Sequence, residues 1–505
     1  MRLSRRTVLR AAPALCTRPL RAEAAPGTSF PFSVASGDPT DSSVILWTRL
    51  ARATHDPEPV AAGPVTVEWC LAEDRHLSRA VRRGNAHALP CNGFSVHVDV
   101  TGLEPDRPYF YAFRLGGLQS PVGRTRTLPD RRRLPSGARI ALASCQDWES
   151  GFFDAYRGMV ADDPDLVLHV GDYIYDVTRG GGVRAHETQR LPMTLADYRA
   201  RHALYRSDPA LQAAHESLTF ALIPDNHDAL EQDSDDPAQR RRRAAAWQAY
   251  GEFLPLRRRA RRGSDWLPIH RSVDIGRLAR LYLMDTRQVR RDEFACASSS
   301  DPAFGLGVYQ RACEELANPT RSMLGKVQEQ WLAHDLATSP AVWNALVSTV
   351  LVSPLALRNG ADAYVYPASW SGYPQDRRRL LATLRRLGVA NPVALSGDLH
   401  STLVAQVVER AGDDPRRSLL PEFLGTSISS LWPEPLADPI RSALSANPHV
   451  LHYDPAHRGY LLCHFTAASL TVETRLLSTA LQPGGVMRTG ERFAVLAGNP
   501  AIHRL

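Results

Sequence analysis

Lysine is almost absent from this chain: among 60 basic residues set against 53 acidic ones, Lys326 is the single lysine and the rest are arginine. So one-sided a choice reflects the codon bias of a GC-rich genome. The net charge of +7 invites a nucleic-acid reading, but the arginine clusters at 240–243 and 257–262 have no interleaved aromatic residues to stack bases. They read as solvated helix faces or loop ends, and no stable nucleic-acid complex is expected. A basic surface still draws phosphorylated molecules inward. Long apolar runs are also missing: no stretch approaches the ~20 residues a bilayer requires, which excludes a transmembrane anchor. Cysteine is scarce, with seven in 505 residues. In an oxidising compartment Cys70 could pair with Cys91 and Cys296 with Cys313, each closing a local loop, although spacing leaves the connectivity open.

What is present is a chain long enough for two or three domains, 44% hydrophobic and able to supply a substantial core. It opens with Ser4-Arg5-Arg6-Thr7-Val8-Leu9-Arg10 and a short apolar stretch, followed by Ala22-Glu23-Ala24. The pattern is that of a twin-arginine export signal with a small-residue cleavage site, so residues 1–25 are expected to direct export to the periplasm or beyond. From 26 to 130 short alternating runs such as Val65-Thr66-Val67-Glu68-Trp69 and Ser95-Val96-His97-Val98-Asp99-Val100 alternate with turns, as in a small antiparallel sandwich. The segment Gly102 to Phe113 resembles the loop and strand of a fibronectin-type domain, with a buried tyrosine at the turn. A polar linker, Pro129 to Gly137, follows. Residues 131–505 then show a strand-then-helix rhythm indicating layered α/β structure. One predicted helix covers Ser322 to Thr338, with Met323, Leu324, Val327, Trp331, Leu332 and Leu336 on one face, and another covers Arg377 to Leu387.

Four apolar strands in this second part each run directly into polar residues, the place where open α/β folds put their sites. Ile140 to Ala143 leads to Ser144-Cys145-Gln146-Asp147, where Cys145 is either a thiolate ligand or a small buried residue. Leu166 to Val170 leads to Gly171-Asp172-Tyr173-Ile174-Tyr175-Asp176. In a tight turn Asp172 and Tyr175 can aim a carboxylate and a phenolate at one point, or serve as a cap beside a core tyrosine. Leu218 to Ile223 leads to Pro224-Asp225-Asn226-His227-Asp228. Asn226 offers a carbonyl oxygen to a hard cation, and His227 a hydrogen bond to phosphate or a proton to a leaving group; the alternative is an Asx turn. Pro392 to Leu395 leads to Ser396-Gly397-Asp398-Leu399-His400. Asp398 and His400, two apart, would share one side of an extended segment and suit a dinuclear site.

Together the four clusters resemble the PhoD-type alkaline phosphatases and phosphodiesterases, within the calcineurin-like metallophosphoesterase superfamily. The likeness continues in Phe32 to Pro39, Trp47-Thr48-Arg49, Thr194 to Arg199, Ser207-Asp208-Pro209, Met284 to Gln288, Met323-Leu324-Gly325 and Glu422 to Ser430. It implies an αββα metallophosphoesterase sandwich preceded by the small all-β fibronectin-like domain. It also implies that Cys145, Asp172, Tyr175 and His400 hold Fe(III), with Asp172 bridging to a second cation, Ca(II), held by Asn226 and Asp398. The donor types agree: thiolate, phenolate and carboxylate favour Fe(III), and amide and carboxylate oxygens suit Ca(II). Two such cations would clamp a phosphate and activate water for in-line attack. His227 is then the leaving-group acid or phosphate donor. Arg287 is either a phosphate contact through its guanidinium fork or a structural salt bridge.

The chain departs from the family pattern in three places. Asp225-Asn226-His227-Asp228 replaces Asp-Asp-His-Glu and lacks one negative charge; Ser348-Thr349 stand where Asn-Gln is usual; and Trp370-Ser371-Gly372-Tyr373 lacks a carboxylate associated with a further calcium. The expectation is a monomeric, exported hydrolase of phosphomonoesters or phosphodiesters. The substrate could be a phospholipid or nucleotide-derived, with choice set by the loops Gly180 to Pro192 and Asn359 to Tyr373. The alternatives are a phospholipase D-like diesterase and a non-catalytic secreted binding protein.

Overall fold

The computed structural model describes residues 23–54, 58–229, 236–289, 295–296, 308–432 and 434–505. The twin-arginine motif and nearly all of the expected export signal lie outside these described residues.

Two sheets face each other at the centre. The first has ten strands and contains, side by side and parallel, Ala138–Ala143, Leu166–Val170 and Thr219–Ile223. The second has seven, among them the parallel run Ala279–Leu283, Trp343–Val347, Pro392–Ser396 and Pro421–Leu424. The central strands are nearly continuous apolar sequence because both of their faces are covered. In Trp343–Val347, Ala345 and Val347 join the core between the sheets, while Leu346 points to the opposite face. There it meets Leu332 and Leu336 of helix Gly325–Ala337 and Leu380, Leu381 and Leu384 of helix Pro374–Leu387. Helices Ala155–Asp162, Pro209–Ser217 and Pro237–Phe253 contribute Tyr156, Met159, Leu211, Ala214 and Trp247 to the core of the first sheet. The αββα arrangement follows from this alternation.

The predicted helical face over 322–338 needs one correction. Val327 is 76% exposed, and the neighbouring inward position is taken by Gln328, whose Oε1 accepts from the Asp285 N–H at 2.8 Å and whose Nε2 donates to the Asp285 carbonyl at 2.8 Å. A polar anchor for the strand-end loop displaces an apolar contact.

The strands between Val34 and Arg126 make two β layers, one of which is shared. Val65–Ala72, Ala80–Ala88, Pro108–Leu115, Leu118–Gln119 and Gly123–Arg126 make one sheet. The facing strands Val34–Gly37, Ser43–Arg49 and Ser95–Thr101 belong to the ten-stranded sheet, because Ser36 and Gly37 pair in parallel with Thr219 and Phe220. The fibronectin-like turn is present: Tyr109 is buried and its hydroxyl accepts from the Glu104 N–H at 3.0 Å.

Cys296 and Cys313 are joined by a disulfide. Cys70 and Cys91, the other pair that spacing would permit, are not bridged. Cys70 lies mid-strand beside Ala112, packed with Ala72 and Leu77, whereas Cys91 sits in the turn Pro90–Asn92, whose chain faces Gln248 of helix Pro237–Phe253. The arginine cluster 240–243 is also less solvated than expected. Arg242 and Arg243 are buried, paired with Asp176 and Asp265 respectively.

Candidate metal centre and cleft

The four polar clusters meet where the two sheets come together, three delivered by the first sheet and the fourth by the second. The turns are tightly cross-tied. The Cys145 N–H donates to the Gly171 carbonyl at 3.0 Å. Asp228 accepts from the N–H groups of Tyr173 at 2.9 Å, Ile174 at 3.1 Å and Asp225 at 2.9 Å, so it knots the second cluster to the third. Gly171 has φ +103°, and a Cβ there would lie 2.2 Å from the Asp225 Cβ; only glycine allows the approach.

Asp172 occupies the middle of the assembly. Its Oδ1 accepts from the His227 N–H at 3.1 Å, and its Oδ2 lies 3.7 Å from the Cys145 Sγ. Ligand atoms of Cys145, Asp172 and His400 all lie within 4.8 Å of one another, and so do those of Asp172, Asp225 and Asp398. One carboxylate thus belongs to both groups, the geometry a bridging ligand needs. Tyr175 joins the first group through His400, its hydroxyl 2.9 Å from Nε2, and accepts from Ser430 Oγ at 2.7 Å. The His400 Nδ1 lies 2.9 Å from the Leu431 carbonyl, which can only accept. The ring proton therefore sits on Nδ1, and Nε2 presents its lone pair to the site.

Burial pushes each of these donors toward its uncharged form. It pushes the Cys145 thiol well up, reinforced by Asp172 and Asp398, and pushes the Tyr175 phenol up, reinforced by Cys145 and Asp172. Asp172 is raised to about 6, by burial against the opposing pull of His227. Asp398 is raised further by burial and Asp225, and His400 is lowered by burial to about 3. A cation at the shared point reverses every one of these pressures except that on His400, whose neutral ring it can use directly. The donor set therefore fits a metal.

Asn226 and His227 are half-buried at the cleft wall. His227 stacks on Tyr175 at 4.3 Å between ring centroids, and its Nδ1 lies 3.0 Å from Asp176 Oδ1. Asp176 Oδ2 in turn accepts from Arg242 Nη2 at 2.7 Å. Burial works against a charged His227, but Asp172 and the Asp176 hydrogen bond prevail and raise it to about 9.

Arg287 stands between two alternatives from sequence, a phosphate contact and a salt bridge. It is 2% exposed. Its Nε and Nη2 clasp both oxygens of Asp225, the latter at 2.7 Å, and Nη2 also reaches Asp398 Oδ1 at 3.1 Å. The guanidinium thus makes the salt bridge of the two alternatives in this structure, and Arg287 is not among the residues that line the cleft. Asp398 and His400 likewise reach the site by another route than the extended segment foreseen, since both sit at positive φ, +72° and +52°.

Asp225 received no role from sequence, yet it holds Arg287 and accepts from Thr349 Oγ1 at 2.6 Å. Thr349, one of the departures from the family pattern, thus still supplies a donor at this position. Tyr366, whose hydroxyl donates to Asp398 Oδ2 at 2.6 Å, was also missed; nothing local in its sequence marks it.

The groups open into a cleft of about 660 Å³, lined by Asp147, Arg179, Asn226, His227, Tyr366 and Trp432 among others. Both loops expected to govern substrate choice contribute to it, through Gly180 to Val183 and through Tyr366 and Ala368. A family model for PhoD-like phosphatases matches residues 140–474, and one for the PhoD-like phosphatase N-terminal domain matches 15–129. The chain belongs to the PhoD-like phosphatase family. It is 36% identical over 489 residues to alkaline phosphatase D of Bacillus subtilis (strain 168), covering 92% of this chain and 81% of that protein. The solved structure of PhoD superimposes with a TM-score of 0.86 at 33% identity, covering 97% of this chain and 93% of that one. As a PhoD-like protein the chain is a phosphoric ester hydrolase. No helix among the described residues is long and apolar enough to cross a membrane.

Proposed function

We propose that this protein is an exported, monomeric hydrolase of phosphomonoesters or phosphodiesters that works with a dinuclear Fe(III)/Ca(II) centre. In this proposal Cys145, Asp172, Tyr175 and His400 hold the iron, and Asp172, Asn226 and Asp398 hold the calcium. The observation that carries it is the dual membership of Asp172 in two adjoining groups of buried donors. When bound, the two cations would offset the charge of the phosphoryl group and make water a competent nucleophile.

The chain's own residues supply the rest. Arg287 offsets Asp225 and part of Asp398, so that three carboxylates can be gathered in one buried space. Leu431, through its carbonyl, fixes the His400 ring. Asp176, itself held by Arg242, accepts from the His227 Nδ1–H and orients the ring, so that Nε2 can meet a departing oxygen at the cleft wall. Residues 26–130 act as the sandwich domain that buttresses the first sheet, and 131–505 carry the chemistry. Export by the N-terminal segment predicts a mature N-terminus near Ala25 in protein recovered outside the cytoplasm.

The test is elemental analysis together with hydrolysis of p-nitrophenyl phosphate and bis-p-nitrophenyl phosphate, with and without calcium, for wild type and Asp172→Ala. Iron near one atom per chain, with turnover abolished in the variant, is the expected result. A folded wild type that takes up neither iron nor calcium and hydrolyses neither ester would overturn the proposal.

A further inference from the structure

Arg287 is engaged with Asp225 and Asp398, so another arginine is better placed to meet the substrate at the cleft wall. Arg179 is the one arginine lining the cleft among the described residues. Its backbone is pinned: its N–H donates to Glu149 Oε2 at 2.7 Å, and the Val183 N–H donates to the Glu149 carbonyl at 2.9 Å. At Gly182 a Cβ would lie 2.2 Å from that same carbonyl oxygen, so the loop lies flat against Glu149. The side chain, by contrast, is 56% exposed, and among the described residues its guanidinium makes one polar contact, Nη1 to Asp147 Oδ2 at 3.3 Å. A single long contact on a half-exposed side chain is weak.

Asp147 does not depend on that contact. Ser150 Oγ donates to the same Oδ2 at 2.5 Å, and the Glu149 N–H donates to Oδ1 at 3.2 Å. Arg179 can therefore turn toward an anion in the cleft without stranding a buried carboxylate. Charge balance favours the movement. The cleft is lined by Asp147, Glu149, Asp172 and Asp398, and an anionic ester entering among them needs a cation beyond the metal site.

We infer that Arg179 is a substrate-binding residue that grips the non-bridging oxygens of the ester phosphate through its guanidinium fork. The inference rests on the phosphoesterase proposal and names the contact by which that site takes its substrate. It is tested on metal-loaded wild type, Arg179→Ala and Arg179→Lys by titration with inorganic phosphate and by KM and kcat for both nitrophenyl esters. Arg179→Ala should weaken phosphate binding and raise KM about tenfold or more, the loss expected for a charge-assisted hydrogen-bond pair, with metal content unchanged. Arg179→Lys should recover part of the binding, since it restores the charge without the fork. Phosphate affinity within twofold of wild type in Arg179→Ala would overturn the inference, whatever happens to KM. Wild type that binds phosphate but hydrolyses neither ester would instead overturn the phosphoesterase proposal, and the phosphate titration would still decide the role of Arg179.

Discussion

Replacing Arg287 by methionine should expose how much the buried carboxylates depend on a counter-charge. Arg287 and Asp225 are 2% and 1% exposed, with Nη2 2.7 Å from Oδ2. At an effective dielectric constant of about 20 the attraction across that contact is about 6 kcal/mol, most of which offsets the cost of bringing both charges out of water. Losing one partner forfeits the attraction and leaves the other charge buried, a net penalty of about 3–5 kcal/mol. Urea midpoints of chelator-treated wild type and Arg287→Met, compared at equal slope, measure it. Because Asp172, Asp225 and Asp398 share one space, adding calcium should narrow the gap by replacing the missing positive charge. Asp225→Asn introduced into Arg287→Met should also recover stability, since it removes the charge left unpaired. A chelated Arg287→Met within about 1 kcal/mol of wild type, set against that expected penalty, or a double variant no more stable than the single one, would refute the reasoning.

Acid should destabilise the protein through His169 and His202, both fully buried with no hydrogen-bond partner among the described residues for either ring nitrogen, and both lowered by burial from 6.5 to about 3. The folded state refuses a proton that the unfolded chain takes up, so their contribution is complete above about 6.5 and is lost as pH falls from there toward 3. Between pH 7 and 5 the loss is about 2 kcal/mol for each, or ~4 for the pair; a urea midpoint that stays flat over this range would contradict it. Gly171→Ala should cost both folding stability and metal, because φ +103° and the 2.2 Å approach to Asp225 leave no room for a methyl group; a variant with unchanged iron and calcium content would show that the turn can relax.

The positions of the candidate site residues were legible because each cluster lies directly after a strand, and strands buried on both faces announce themselves as apolar runs. Cys145, Asp172, Asn226 and Asp398 could be located by that rule alone. What strand patterning does not carry is how the ends face one another across two sheets. Arg287 follows a strand of the second sheet and Asp225 a strand of the first, so their ion pair has no trace in local spacing. Val327 was misplaced for a related reason: periodicity weighs apolarity, and it cannot anticipate that Gln328 turns inward to hold the Asp285 backbone. The sharing of Val34–Gly37 with the large sheet was hidden too, since pairing with Thr219–Ile223 joins residues nearly two hundred positions apart.

The backbone at the site argues for an occupant as strongly as the side chains do. Cys145, Asp172, Asp398 and His400 all lie at positive φ, between +52° and +72°, a region that costs a residue with a side chain about 1–3 kcal/mol. These same residues are buried, and Cys145, Asp172 and Asp398 are driven toward protonation by burial and by one another. Two independent penalties thus fall on one small set of residues, although a thiol and carboxylates on ordinary strand-end turns would incur neither. Both are offset together if the turns serve to bring a thiolate, carboxylates and an imidazole Nε2 around a cation, since ligation favours the ionised donors and rewards the convergence that the turns produce. On this argument metal-loaded protein should be markedly more resistant to urea than chelated protein. Asp172→Ala, which removes the residue common to both groups, should abolish that difference, whereas Arg179→Ala, outside both groups, should preserve it.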